Sequence, residues 1–465
     1  MYVLLVTFTI NLLKSSDDRL RGTNRAIEAK MGILHQFFRL AIANILANLM
    51  VPLAGLMDVA FLGHLAEIRH LAGVALATVL FNYLYWTFGF LRMGTTGMTA
   101  QAMGREDVDA ALLVGLRNGA IALGLGTALV LLQYPLRIAG FALFSATPEV
   151  KAAGQAYYDA LIWGAPATLL NFVVLGWFLG RSQSKKVLLL SAVSNLTNVG
   201  LDYLFIVRWG WESRGAGAAT ALGQGAMLLV GLGMVSRDVG AGQLQRVAKH
   251  LLDPTALRAT VMLNGELMVR TFALISTFAA FTNLSSNLGT EILSTNAVLL
   301  QVVTLAAYFI DGFAFAIESL AGMLSAQKEF AQLARLLRVA TATSFGLGLL
   351  VSLAFTLAPT ALFQHLTNHR EILDRIGDYT PWLLPVLGFG SIAYLLDGYF
   401  LGLTAGRLLR RSVTIAALGG FMPMAIAAWQ LRDAHLLWLG LTLFMALRAI
   451  ALGLEIPKTL RKLPP

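Results

Sequence analysis

The sequence predicts an all-α polytopic membrane protein with twelve transmembrane helices in two six-helix bundles related by a pseudo-two-fold along the membrane normal. The composition points there first: of 465 residues, 57% are hydrophobic and 13% charged, whereas about a quarter of a water-soluble chain is charged. Apolar runs of the roughly 20 residues needed to cross a bilayer as helix recur twelve times. The two halves also echo each other: Gly176-Trp-Phe-Leu-Gly180 in the fourth run matches Gly398-Tyr-Phe-Leu-Gly402 in the tenth at an offset of 222 residues. An offset that carries run four onto run ten keeps six runs per half, an even number, so the halves share one orientation.

The opening apolar stretch, Met1 to Leu13, is too short to span, lacks a basic start and leads into polar residues up to Lys30, unlike a signal peptide or a span. Residues 1–33 are expected to be an extension, disordered or lying ahead of a true start at Met31. An N-terminal lobe over 34–236 then holds the runs Leu40 to Leu62, Leu71 to Met103, Ala111 to Leu132, Ala160 to Gly180, Val187 to Val207 and Gly215 to Ser236. A polar cytoplasmic connector covers 237–258. The C-terminal lobe, 259–456, holds Thr260 to Leu288, Ile292 to Met323, Val339 to Ala361, Tyr379 to Gly406, Ser412 to Leu431 and Ala434 to Gly453, and 457–465 form a cytoplasmic tail.

The loops between runs set the orientation. One alternating set carries Arg105; Arg181, Lys185, Lys186; Arg237, Arg246, Lys249, Arg258; Lys328, Arg335, Arg338; and Arg407, Arg410, Arg411, which is 14 basic residues against 8 in the other set. Positive charge stays inside, so both termini are expected in the cytoplasm and the protein in the cell inner membrane. The net charge of +10 therefore reads as a topology signal and implies no nucleic-acid partner. With no cysteine in the chain, there is no disulfide, thiolate metal site or cysteine nucleophile. No Gly-x-Ser-x-Gly elbow, His-Glu-x-x-His, Walker A loop or dinucleotide fingerprint occurs, which speaks against an enzyme. A selectivity-filter signature is missing too, and two facing bundles fit a rocking transporter better than a channel. Without a nucleotide domain in this chain, uphill transport has to draw on an ion gradient or on a separate subunit.

Intramembrane acids cost about 2.5 to 3.5 kcal/mol each on insertion scales, so each is a functional candidate. The first lobe holds Asp58 in span one and Asp202 in span five, both about five residues, or roughly 7 Å, short of the outer end. Thr220 enters span six at the same depth, and Asn198 lies one turn below Asp202 on the same face. Two carboxylates, an amide and a hydroxyl can hold protons or coordinate Na⁺ through hard oxygens, and the alternative is that both acids merely hydrogen-bond within kinked helices. The positions 222 residues on are Ala280, Gly420 and Met424, which places the site in the first lobe alone. Pro52, one and a half turns before Asp58, permits a bend in span one, either as a hinge linked to Asp58 or as a static kink.

The second lobe holds Glu266, Arg270, Asp311, Glu318 and Asp397. Glu266 and Arg270 stand at i and i+4, the spacing of an intrahelical ion pair, so this set is expected to be a polar network in the inner half, with a direct part in cargo or proton handling as the other reading. The Gly-x-x-x-Gly spacings at Gly115/Gly119, Gly176/Gly180 and Gly398/Gly402 allow close helix approach. Aromatic and Met residues such as Met50, Met57, Phe61, Tyr83, Trp86 and Phe90 fit core or lipid-facing packing, or an adaptable apolar cavity.

The run Pro52-Leu-Ala-Gly-Leu-Met-Asp58-Val-Ala-Phe-Leu-Gly63-His64-Leu65 resembles the first span of the multidrug and toxic compound extrusion (MATE) family, which carries an aspartate just before a Gly-His-Leu turn. Leu91-Arg92-Met93-Gly94-Thr95-Thr96-Gly97-Met98-Thr99-Ala100-Gln101, Leu175 to Gly180, Asn264-Gly265-Glu266-Leu267-Met268-Val269-Arg270-Thr271 and Asp311-Gly312-Phe313-Ala314 resemble its DinF (DNA-damage-inducible protein F) branch. The resemblance covers nearly the whole chain from Met31 on. It implies two lobes around a V-shaped cavity and export of cationic or amphipathic compounds in exchange for H⁺ or Na⁺. It also implies that Asp58, Asn198, Asp202 and Thr220 form the ion site. The second-lobe acidic pair of the NorM branch is not matched.

The expected activity is thus ion-coupled antiport by alternating access. There is no cofactor beyond H⁺ or Na⁺ as coupling ion, with Na⁺ held, if it is the ion, at Asp58, Asn198, Asp202 and Thr220. The expected partners are a drug-like or amphipathic small molecule and membrane lipid, and the protein is expected to act as a monomer. The alternatives are a lipid-linked precursor flippase of the same superfold, which would need a more cationic cavity than Arg92 and Arg270 provide, or a non-transporting membrane scaffold.

Overall fold

Twelve helices long and apolar enough to cross a membrane follow one another in the computed structural model, which describes residues 21–65, 67–364 and 370–460. We number them spans 1 to 12: Gly32–Gly63, Ile68–Gly104, Val108–Leu131, Pro148–Gly180, Ser184–Arg208, Glu212–Asp238, Pro254–Leu288, Thr290–Ala326, Phe330–Leu357, Arg375–Gly402, Gly406–Leu431 and Ala434–Leu460. Each coincides with one of the apolar runs read from the sequence, although the third run overshoots its helix by one residue and the ninth and tenth, drawn to Ala361 and Gly406, overshoot theirs by four, the helices ending at Leu357 and Gly402. The helix of span 1 is already running at Arg21. The disorder expected over 1–33 lies, for residues 1–20, outside the described residues, as do 461–465 of the tail.

The repeat seen in one pentapeptide extends through the packing. Span 1 packs on span 5 as span 7 packs on span 11; spans 2 and 3 flank span 4 as spans 8 and 9 flank span 10; spans 5 and 6 pair as spans 11 and 12 do. Glycine makes the tightest of these contacts. A Cβ at Gly176 would lie 2.5 Å from the carbonyl oxygen of Arg92, and one at Gly180 would lie 2.7 Å from that of Thr96. In the second lobe Gly398 meets the carbonyl of Ala314 and Gly402 that of Glu318, each partner again 222 residues on. Only a glycine lets these backbones approach so closely. Gly180→Leu is therefore expected to lower stability by about 1–3 kcal/mol through overpacking, read as a drop in unfolding temperature in detergent. Gly124→Ala, where nothing lies within 4 Å, should leave that temperature unchanged.

The lobes meet at one end. Spans 2 and 8 cross between them, where a Cβ on Gly322 would lie 2.6 Å from Ala100 Cβ and one on Gly104 2.5 Å from the Met323 carbonyl. Gln101 donates to Thr404 at 3.1 Å, and Ser319 donates to the Leu179 carbonyl at 2.6 Å. These residues sit where spans 2, 4, 8 and 10 finish, the end that the basic loops assign to the cytoplasm. Higher up, Asn48 Nδ2 donates to the Tyr308 carbonyl at 3.2 Å. Among the described residues no hydrogen bond or ion pair joins the lobes outward of that contact.

The connector folds as a short helix, Ala241–Ala248, followed by a turn. Buried Arg117 of span 3 donates to the carbonyls of His250 at 2.6 Å and Leu251 at 3.1 Å, and Gln243 donates to Asp109 at 2.7 Å. The link between lobes is thus tied to the foot of the first lobe.

Candidate functional site

Span 5 carries the framework of the first-lobe site. Ser194, Asn198 and Asp202 stand at i, i+4 and i+8, all buried, and form one stripe along a single helix face. Span 6 runs antiparallel against that stripe. A Cβ at Gly223 would lie 3.0 Å from the Ser194 carbonyl, so the two backbones are close enough for short polar side chains to meet. Asn198 Nδ2 donates to Thr220 Oγ1 at 3.2 Å, and the Thr220 hydroxyl donates to the Ala216 carbonyl at 3.0 Å. Below them Gln224 donates to Ser194 at 3.5 Å and accepts from Asn171 of span 4 at 2.9 Å.

Asp58 of span 1 reaches this stripe. Its half-buried carboxyl lies within side-chain reach of both Asp202 and Asn198. All four residues singled out in the sequence are therefore brought together in space. Their oxygens are unusual: Asp58 Oδ1, both carboxylate oxygens of Asp202 and Asn198 Oδ1 are buried and have no hydrogen-bond donor. A buried acceptor left unpaired costs about 1–3 kcal/mol, and four in one cluster form a ready cradle for a proton or a hard cation. Two acids with amide and hydroxyl oxygen suit Na⁺. Among the described residues no group of three His, Cys, Asp or Glu is placed to hold a transition metal.

The backbone around the cluster departs from regular α-helix. Directly after Asp202 the chain winds as a π-helix, Tyr203–Arg208, a deviation that recurs at functional sites. Pro52 lies inside the helix of span 1 without breaking it. Two residues earlier, Asn195 Nδ2 of span 5 donates to the Met50 carbonyl at 2.9 Å, so the proline segment is fastened to the helix that bears Asp202. Sequence reasoning passed over Asn195, and it also missed Tyr157 of span 4, buried beside Asp58 with Thr220 and Thr78 in side-chain reach. Tyr157 carries no charge to mark it and lies just ahead of the apolar run Ala160 to Gly180, whereas Asn195, one turn from Asn198 on a helix already suspected, was within reach of the periodicity argument.

In the second lobe the charges pair differently from the i, i+4 expectation. Glu266 and Arg270 do not neutralise each other: Glu266 pairs with Arg410 of span 11 at 2.5 Å, and Arg270 pairs with Asp397 of span 10. The cause is packing, since Gly406 seats span 11 with its Cβ position 3.0 Å from Glu266 Cβ and draws Arg410 to that acid, while the buried Arg270 turns to span 10. Asp397 accepts from a second guanidinium, Arg448 of span 12, which is fully buried between Tyr394 and Phe444. Arg448 is not among the residues expected from the sequence, although a lone arginine in the apolar run Ala434–Gly453 is the same kind of signal as an intramembrane acid. Asp311 is half-buried near Arg92, Arg270, Asp397 and Arg448, and Glu318 is fully buried against Arg92 of the first lobe at 3.4 Å.

Known proteins share this fold. A profile of the MatE family matches residues 43–204 and 267–426, one stretch in each lobe. The chain is similar to DNA damage-inducible protein F of Escherichia coli K12, 34% identical over 421 residues that cover 90% of each chain. It is also similar in structure to a variant of the MATE transporter VcmN of Vibrio cholerae, at a TM-score of 0.83 and 19% identity over 93% of this chain and 98% of that one. A multidrug resistance MATE family transporter of the MOP superfamily, in its outward-facing conformation, aligns at a TM-score of 0.79 and 19% identity over 92% and 96%. At those identities the structural likenesses speak for the fold: twelve helices in two lobes. The family profile and the 34% relative speak for descent, and by them the chain belongs to the MatE family of membrane transporters, not enzymes, in its DinF branch.

Proposed function

We propose that this chain is a secondary antiporter that exports cationic or amphipathic organic compounds in exchange for H⁺ or Na⁺, by alternating access between its lobes. The reading rests on one observation above the rest: four buried, unpartnered oxygens of Asp58, Asn198 and Asp202 beside the Thr220 hydroxyl. An ion arriving from the outer side replaces water at these oxygens and satisfies them. Its arrival draws Asp58 and span 1 towards span 5, and the Pro52 segment, where one backbone hydrogen bond is missing, is where the helix bends. Cargo held against the same wall of the lobe is then displaced. Among the described residues the polar contacts between lobes reach no farther outward than Asn48 and Tyr308, midway along spans 1 and 8, in keeping with a cavity open to the outside. In this reading the protein is a monomer in the inner membrane with both termini cytoplasmic, as the distribution of basic loops suggests.

The buried arginines favour this reading over a flippase for anionic lipid-linked precursors. Arg92 of the first lobe and Arg270 and Arg448 of the second each pair with a carboxylate, so none of the three offers an unpaired cation to an anionic headgroup. The test is uptake of a fluorescent cationic dye into everted vesicles or proteoliposomes, with the proton and sodium gradients imposed one at a time. Dye movement against its gradient under one of them is expected. Transport indifferent to both, or none at all, overturns the proposal.

A further inference from the structure

One ion pair joins the two lobes among the described residues. Arg92 Nη1 of span 2 donates to Glu318 Oε2 of span 8 at 3.4 Å. Glu318 is fully buried and its other oxygen, Oε1, has no partner. Thr96 lies within reach of the carboxylate but donates its hydroxyl to the Arg92 carbonyl at 2.8 Å. Arg92, 12% exposed, stacks its guanidinium 3.9 Å from the centre of the Phe315 ring. The pair stands directly outward of the contacts that close the inner end, where Ser319, the next residue, donates to Leu179 and lies 2.8 Å from Ser182 Oγ.

The surrounding charges balance as they stand. Arg92 from span 2 and Arg270 from span 7 act on Glu318. Asp311 lies two turns outward on the same face of span 8, and Asp397 of span 10 with Arg448 of span 12 complete three guanidiniums against three carboxylates. From the other helices packed on span 8, Arg39 of span 1 and Arg338 of span 9 are exposed, and Arg181 at the foot of span 4 is held by Asp238 at 2.7 Å. A proton added to Glu318 leaves one guanidinium in excess in a closed, poorly hydrated interface. A buried charge without its counter-charge is strongly unfavourable, and parting of the inner ends relieves it by letting water reach Arg92.

We propose that Glu318 is a second proton-binding group of this transporter and that its ion pair with Arg92 latches the inner ends of the lobes, holding them together when ionised and releasing them when protonated. The proton enters from the cavity by way of half-buried Asp311 and leaves to cytoplasmic water once the ends have parted, so it is bound and released without any other change in bonding. This rests on the alternating movement of the lobes proposed above. Its sign suits export, since proton loading from outside then promotes the inward-open form that collects cargo.

The chain has no cysteine, so spin labels can be placed at Lys185→Cys and Arg407→Cys alone, exposed positions 222 residues apart at the inner ends of opposite lobes. Lobe-to-lobe distances are then measured by double electron–electron resonance in nanodiscs at high and low pH. The latch predicts that low pH lengthens the distance in the otherwise unaltered chain. Glu318→Gln should raise the ratio of open to closed forms by about tenfold at high pH, within the range usual for coupled equilibria, and should remove most of the pH response. Arg92→Gln should open the inner end likewise, so a folding defect in one variant does not decide the outcome. A pH response that persists unchanged in both variants overturns the latch, and so does a distance that ignores pH and both substitutions. Dye transport lost in Asp58→Asn but retained in Glu318→Gln, with the distances unmoved, rejects the latch and leaves the antiport reading in place.

Discussion

Asp58→Asn is expected to abolish ion-driven efflux while the protein stays folded in the membrane. Asparagine matches the shape of the aspartate, so its contacts with Asp202 and Asn198 survive sterically. What it lacks is a group able to carry a proton or to offset the charge of Na⁺. Charged hydrogen bonds are each worth about 1.5–3 kcal/mol, which sets the loss of ion affinity at roughly 10- to 100-fold or more. Dye accumulation in everted vesicles should fall to the level of vesicles without the protein, and the unfolding temperature in detergent should move little. If Asp58 served only to hydrogen-bond within a bent helix, the amide would do that equally well and efflux would persist. Asn198→Ala removes one of the unpartnered oxygens together with the amide nitrogen that donates to Thr220, and is expected to weaken transport without ending it.

Asp397→Ala should have the largest effect on stability. Its carboxylate is the common partner of Arg270 and Arg448, both buried, and each guanidinium already keeps a buried Nε without an acceptor. Removing one member of a buried ion pair costs about 3–5 kcal/mol because the remaining charge is stranded; here two are stranded together. Thermal unfolding followed by size-exclusion fluorescence is expected to show a large downward shift and poor recovery from the membrane. Asp311→Asn, at a half-buried carboxylate that is nobody's sole partner, should shift the same measurement much less. Equal stability of both variants would mean that the second-lobe cluster is not what holds spans 7, 10 and 12 together.

These two expectations draw on different kinds of information. Asp58, Asn198, Asp202 and Thr220 could be found in the sequence because depth along a helix is simple counting from the end of an apolar run, and because a polar residue there is rare. The repeat was legible for the same reason: Gly176 and Gly398 must each lie against a backbone, and a fixed offset of 222 carries that need from one lobe to the other. The partners Arg92 and Thr96 on one side, Ala314 and Glu318 on the other, follow the offset although their side chains have nothing in common.

Which charge pairs with which was not legible in that way. Spacing at i and i+4 allowed Glu266 to meet Arg270, yet long side chains on a helix surface reach neighbouring helices as easily as their own turn. The choice falls to the way the helices are rotated and how closely they pack. Gly406 brings Arg410 to Glu266, and the crossing of spans 7, 10 and 12 puts Asp397 between two guanidiniums. Linear order thus carries the number of spans and their pairing into two like halves, since both depend on local hydrophobicity and period. The gathering of Asp58 with Asn198 and Asp202 into one cluster, the arginine pair on Asp397 and the contact of Arg92 with Glu318 across the lobes arise from three-dimensional packing, because a distance between helices depends on every side chain that separates them.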